Sequence, residues 1–209
     1  PISLFFLKSR KEKELFKYIL VTSITWLLIN LPVIVFNREG WLYFYKFSAT
    51  RILGDGSIFN IFAKFGIMES TPMWAYYVLN VAAFVLLGRY LWKSDLPMRL
   101  NSSAFLAVIA FTYFGKQYSM QYVLWLTPLA VLAISEVSKK ERNVVIKAYA
   151  LWQSGEFLLH YAYFKNMLKE MNDLTYATLA SFRYIVAAIF VFVLMKNTKR
   201  FRVDKSLMN

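Results

Sequence analysis

The chain has 209 residues, of which 58% are hydrophobic and 19% aromatic, while only 18% are charged. A soluble domain carries about 25% charged and about 45–50% apolar residues, so this balance points to a membrane and excludes intrinsic disorder. The 25 basic and 12 acidic residues leave a formal net charge of +13, and the absence of Cys with a single His excludes disulfide scaffolds, thiolate metal sites and multi-histidine metal sites.

A bilayer core takes about 20 apolar residues of helix. Taken in chain order, residues 15–36, 72–92, 102–114, 121–135, 148–164 and 175–195 read as six candidate spans. The fifth is the least apolar, because it contains Glu156 and His160. The sequence therefore predicts an all-α, polytopic membrane protein with about six transmembrane helices.

The flanks give an independent test. Basic residues collect on the cytoplasmic side of short membrane loops. Lys8, Arg10, Lys11, Lys13 and Lys17 precede or open the first span. Arg89, Lys93 and Arg99 lie around the second connection, and Lys139, Lys140, Arg142 and Lys147 around the fourth. Lys196, Lys199, Arg200, Arg202 and Lys205 follow the sixth. The opposite side holds the sparser set Arg38, Lys46, Arg51, Lys64, Lys116, Lys165 and Lys169. Alternation at every second connection predicts a multi-pass cell-membrane protein with both ends of this chain cytoplasmic. The basic excess then marks orientation and contact with lipid headgroups, and no nucleic-acid partner is expected.

Residue 1 is Pro, and an apolar SLFFL runs directly into KSRKEKE. That start reads as the end of an earlier span or an interfacial turn. The expectation is a single transmembrane helical domain, residues 1–209, forming the C-terminal part of a longer protein.

Two outer segments carry unusual sequence. The first covers residues 37–71. Its front half, GWLYFYKFSATR, clusters Trp41, Tyr43, Phe44, Tyr45 and Phe47, rings that settle at headgroup level. Its back half, GSIFNIFAKFG, has helical spacing, with Ser57 placed as an N-cap. One or two short interfacial helices are expected on the extracytoplasmic side. Between the halves, the Gly54-Asp55-Gly56-Ser57 turn leads into a helix start whose free N–H groups suit an anion; a plain tight turn is the alternative.

The second segment runs Lys116-Gln117-Tyr118-Ser119-Met120-Gln121-Tyr122 and continues to Trp125 and Pro128. Polar residues between two apolar runs are costly at membrane depth and mark a cavity or pathway; a short polar hairpin is the alternative. Lys offers a point charge for phosphate, Gln and Ser offer directional bonds to hydroxyls, and Tyr and Trp offer stacking faces. Both segments fall on the same predicted side, which permits a common site.

KQYSMQYVLWLTPL resembles the K-x-x-S-P-Q-Y-x-x-W-x-x-P signature of polyprenyl-phosphate-sugar-dependent membrane glycosyltransferases of the glycosyltransferase-C superfamily. The nearest types are glycosyltransferase family 87 and the alpha-mannosyltransferases of GPI-anchor synthesis. RILGDGSIF is similar to the R-x-G-D-G-S-I stretch upstream in the same proteins. The resemblance implies transfer of a hexose, in the first instance mannose, from a polyprenyl-phosphate donor to a lipid or glycan acceptor on the extracytoplasmic face. It implies inversion at the sugar without a nucleotide sugar; no cofactor and no protein-held metal site is expected from the residues, and assistance by a divalent metal stays open. By matching position it makes Lys116, Ser119, Gln121, Tyr122 and Trp125 candidates for one part of the substrate and phosphate site; Gln117 and Tyr118, within the same polar run, join them by residue type. Arg51, Asp55 and Ser57 are candidates for the other.

Met120 stands where that signature has Pro, and the family's catalytic Asp, in the first outer loop, has no counterpart in this chain. The general base is therefore unassigned, with Asp55 as a weak substitute. Lys116 and Arg51 with the Gly54–Ser57 turn are expected to hold the leaving phosphate. Glu156 and Arg183 lie at matching depths in the fifth and sixth spans and are expected to form a structural intramembrane pair; His160 shares the face of Glu156 and reads as a hydrogen-bonded core residue. Two other readings remain open: a transporter or flippase of lipid-linked sugars, and a noncatalytic membrane subunit.

Overall fold

The computed structural model describes residues 2–51, 53–67, 73–93 and 99–198. Ile52, the end of the first outer segment at residues 68–71, Pro72 at the head of the second predicted span, and the basic residues Lys199, Arg200, Arg202 and Lys205 lie outside these limits. The described residues form helices and no strands: α1 (Ile2–Lys8), α2 (Glu12–Phe36), α3 (Arg38–Thr50), α4 (Ile58–Lys64), α5 (Met73–Lys93), α6 (Leu100–Phe114), α7 (Tyr122–Ser135), α8 (Lys139–Met167) and α9 (Asp173–Asn197).

The all-helical expectation holds among the described residues, but there the helices long and apolar enough to span a membrane number three rather than six. These are Glu12–Phe36, Trp74–Lys93 and Asp173–Asn197. The physical reason is length for two of the others. At about 1.5 Å of rise per residue, α6 with 15 residues and α7 with 14 reach roughly 22 Å, against about 30 Å of hydrocarbon. The third, α8, has ample length at 29 residues but carries Lys139, Lys140, Glu141, Arg142, Lys147, Glu156 and Lys165.

The contacts group α1–α3 into one compact unit and α4–α9 into another. In the first unit, α2 has no buried residue, and Trp26, Leu28, Ile29 and Val35 present apolar surface. One polar contact ties α2 to α3: Trp41 Nε1 donates to Asn30 Oδ1 at 3.0 Å. Asn37 caps α3 by accepting the Gly40 N–H at 2.9 Å. Arg51, just past the end of α3, has its guanidinium 5.7 Å from the centre of the Phe47 ring.

In the second unit, α8 and α9 form an antiparallel hairpin around which the rest is arranged. Small residues one heptad apart on α8 (Ala148, Gly155 and Ala162) are buried, as are Ala177, Ala180 and Ala187 on α9. Small side chains let two helices approach closely, the usual solution where lipid rather than water surrounds them. Trp152 and Phe190 stack at 5.2 Å across the hairpin, and Phe105 of α6 meets Phe190 edge-on at 5.4 Å.

The α6–α7 hairpin closes at one end through Glu136. Its carboxylate accepts from the Asn101 and Ser102 N–H groups at 3.1 and 3.0 Å and from the Ser102 hydroxyl at 2.6 Å. These N–H groups belong to the first turn of α6, which has no side-chain cap of its own. A carboxylate there also complements the positive helix end. At the other end of α6 lie Gly115 and Lys116, so the Arg99 and Lys116 ends of this helix are a helix length apart.

The α8–α9 approach is close at Gly155. A Cβ built there would lie 2.5 Å from Val186 Cγ2 and 3.2 Å from Arg183 Cα. Gly155→Ala is therefore expected to lower stability by about 1–3 kcal/mol through overpacking, measured as a lower thermal unfolding midpoint in detergent. Adding Val186→Ala should recover part of the loss.

Candidate functional site

The site is assembled where the two unusual segments meet against the middle of the α8–α9 hairpin. The first segment turns at Gly54–Ser57. The Ser57 N–H donates to the Gly54 carbonyl at 2.9 Å, which closes the turn. Ser57 Oγ then accepts the Asn60 N–H at 3.2 Å, so the predicted N-cap of α4 is formed by a fully buried serine. Asp55 is exposed, and its carboxylate accepts from Asn60 Nδ2 at 3.1 Å. α4 lies along α9 with Phe59 and Ile61 buried, and its Lys64 pairs with Asp173 in the first turn of α9.

The second segment touches the first directly. The Gly54 N–H donates to the Lys116 carbonyl at 3.1 Å. The contact requires glycines. A Cβ at Gly56 would lie 2.7 Å from Tyr118 Cδ1, and one at Gly54 would lie 2.8 Å from Gln117 Oε1 and 3.0 Å from the Tyr118 backbone nitrogen. The GDG spacing thus serves close backbone approach as much as turning.

Beneath this contact sits Arg183, with 0% of its surface exposed. Its Nη2 donates to the Gly56 carbonyl at 3.0 Å. Its guanidinium carbon lies 3.7 Å from the centre of the Tyr118 ring, 4.3 Å from that of Tyr184 and 4.5 Å from that of Tyr113. Nε and Nη1 have no conventional acceptor. They lie inside this box of ring faces, whose negative quadrupoles attract the cation. The Tyr184 hydroxyl is 3.1 Å from the Gly56 carbonyl and 3.3 Å from the Tyr113 carbonyl, with one proton to share between them.

Glu156 completes the cluster from α8. It is 2% exposed and accepts from three donors: the Tyr113 hydroxyl, the Tyr118 hydroxyl at 2.7 Å and Trp152 Nε1 at 3.0 Å. Trp152 Nε1 also lies 2.8 Å from the Tyr113 hydroxyl oxygen. The expected Glu156 and Arg183 pair is therefore in one buried cluster but makes no ion pair of its own. Tyr113 and Tyr118 stand between them, offering ring faces to the cation and hydroxyls to the carboxylate. His160 is half-buried, and its Nδ1–H donates to the Glu156 carbonyl at 2.7 Å, as a core residue would.

From this cluster an aromatic series leads outward. Tyr113 and Tyr118 have centroids 5.8 Å apart, Tyr118 and Tyr122 5.6 Å, and Tyr122 and Trp125 4.9 Å. Tyr118 is buried, Tyr122 is half-buried and Trp125 is 53% exposed. Lys116, Gln117 and Ser119 are half-buried and Gln121 is exposed. The Tyr122 N–H bonds to the Ser119 carbonyl at 2.9 Å, so the turn forms with Met120 in it. Of the sequence candidates, Asp55, Ser57 and the residues from Lys116 to Trp125 are on the two segments that meet. Arg51 belongs to the other unit.

Electrostatics follow from burial. Desolvation pushes the Lys116 ammonium below its ordinary value. Burial pushes the Tyr118 phenol well up; the Glu156 carboxylate adds to this and Arg183 opposes it. No group of three or more metal-ligating side chains occurs among the described residues. The participants that sequence reading passes over are Tyr113, Trp152, Tyr184 and the Gly56 carbonyl. Only Trp152 carried a signal, its i, i+4 spacing from Glu156.

The chain matches no protein-family model, no curated protein and no solved structure.

The lowered Lys116 value has a testable sign. Between the folded and unfolded values the folded chain binds fewer protons at this amine, so its contribution to stability rises with pH across that window. Amine labelling at Lys116, followed by peptide mass spectrometry, should show a midpoint below that of the same residue in the denatured chain. An unchanged midpoint would contradict the desolvated setting.

Proposed function

We propose that the protein is an integral-membrane glycosyltransferase that moves a hexose, in the first instance mannose, from a polyprenyl-phosphate donor to a lipid or glycan acceptor on the extracytoplasmic face. The observation that carries this reading is the meeting of the Gly54–Ser57 turn with the Lys116–Trp125 segment, the two stretches on which the family resemblance rests. Their junction offers what a lipid-linked phosphosugar asks of a protein. Lys116 is a half-buried cation for the phosphate. Gln117, Ser119 and Gln121 supply donors and acceptors for sugar hydroxyls, and Tyr122 and Trp125 supply ring faces.

The reaction transfers the anomeric carbon from the phosphate oxygen to an acceptor oxygen. The acceptor hydroxyl loses its proton to a base as it attacks, and the C–O bond to the phosphate breaks. The departing polyprenyl phosphate takes the bonding pair, and Lys116 stabilises that developing charge. The general base is unassigned and is open to being supplied from outside this chain; Asp55, exposed on the junction's first segment, is a weak substitute.

In the same reading the chain is multi-pass, with the Lys116 end of α6 outside and the Arg99, Lys139 and Lys140 end inside. α6, α7 and α8 cross as a packed group despite the shortness of the first two. A flippase of lipid-linked sugars is the alternative favoured by one observation, the fully buried Glu156 and Arg183 on the hairpin, since intramembrane charges mark transport pathways.

The decisive experiment uses the purified chain in proteoliposomes with labelled polyprenyl-phosphate mannose and a lipid acceptor extract. Label should pass to the acceptor, and Lys116→Ala should reduce transfer on the order of 10²-fold or more while the protein still inserts. Movement of intact donor across the bilayer without transfer would replace this reading with the flippase. Orientation is checked separately in the naturally cysteine-free chain. Single cysteines at Gln117 and Lys140 should react with an impermeant thiol reagent from opposite sides; reaction from one side only would overturn the proposed topology.

A further inference from the structure

Neither segment at the junction is held by regular structure. Residues 53–57 and 115–121 lie between helices, and the one backbone hydrogen bond between them runs from Gly54 to Lys116. What lies under both is a single side chain. Arg183 grips the first segment through the Gly56 carbonyl and the second through the face of Tyr118. Tyr118 is in turn pinned by its hydroxyl to Glu156. The glycines on either side leave room for this arrangement. Gly56 has no Cβ to meet the Tyr118 ring, and Gly155 has none to meet the Arg183 backbone.

We propose that Arg183 is a positioning residue: a buried clamp that fixes the Asp55 turn and the Lys116 segment relative to one another and so sets the geometry of the outer site. The inference rests on the reading of that junction as the phosphosugar site, and it assigns Arg183 a part beyond balancing Glu156. The clamp needs a guanidinium. A flat cation can lie on the Tyr118 ring and still direct an N–H in its own plane to a carbonyl, whereas an ammonium offers a compact charge without a face. Arg183 touches no reacting group and is fully buried, so its effect on chemistry passes through Lys116 and Asp55.

The test reads position and activity separately. With no native cysteine, Asp55→Cys and Gln117→Cys introduce one thiol on each segment. A short bis-methanethiosulfonate should cross-link them in the otherwise unaltered chain. Adding Arg183→Lys should lower the cross-linking rate about tenfold, equivalent to ~1.4 kcal/mol. Tyr118→Leu, which leaves Arg183 and the helices intact but removes the stacked face, should do the same; it carries the test if Arg183→Lys fails to elute as a monodisperse species. Tyr118→Phe keeps the face and should retain most of the cross-linking. Undiminished cross-linking in folded Arg183→Lys or Tyr118→Leu overturns the clamp, as does failure of the parent pair to cross-link. In the cysteine-free chain, Arg183→Lys should raise the donor KM in the transfer assay. If cross-linking behaves as expected but the unmutated chain transfers no sugar, the glycosyl-transfer reading fails and the clamp stands.

Discussion

The burial of one guanidinium organises the second unit. A charge taken fully out of solvent is costly unless it is surrounded by compensating groups. Arg183 meets that cost with three tyrosine faces, one carbonyl and a carboxylate that shares two of the same tyrosines. Apart from Tyr184, its neighbour on α9, these partners come from different parts of the chain: Gly56 before α4, Tyr113 at the end of α6, Tyr118 in the following turn and Glu156 on α8. Satisfying the cation therefore requires that four segments be in place at once. The tyrosines make this economical, because each offers a face to the positive group and a hydroxyl to a polar one.

The separation of Glu156 from Arg183 by aromatic rings also differs in kind from a direct salt bridge. A direct pair fixes two side chains; an interleaved set fixes the backbone segments that carry the rings. Tyr118 is the clearest case, since its ring rests on Arg183, its hydroxyl reaches Glu156 and its Cδ1 edge fills the space over Gly56. The hydroxyl donor is essential to this arrangement, and burial beside Glu156 pushes its proton loss further above the ordinary phenol range.

Much of this was legible in the sequence, for reasons that differ by residue. Long apolar runs located α2, α5 and α9 because length and hydropathy alone decide such helices. Ser57 was legible as a cap because its hydroxyl acts locally, on Asn60. Matching depth brought Glu156 and Arg183 together. What escaped was tertiary or polar. α8 begins at Lys139 rather than Ala148, because its first turns are charged residues with good helix propensity and no hydropathy signal. Tyr113 sits in an apolar run that gives it no separate signal, and a backbone carbonyl such as that of Gly56 leaves no trace in a residue pattern. The Glu136 cap on α6 joins residues far apart in the chain, which no local rule detects.

The brevity of α6 and α7 has a consequence for the surrounding lipid. Where a helical hairpin is shorter than the hydrocarbon slab, the bilayer thins toward it or polar material is drawn inward, at a modest cost per ångström. With α6 and α7 near 22 Å, the turn between them would sit several ångströms beneath the mean headgroup level of a membrane about 30 Å thick. If the hairpin crosses a bilayer as proposed, such a depression would bring water and phosphate oxygens down to the depth of the turn between α6 and α7.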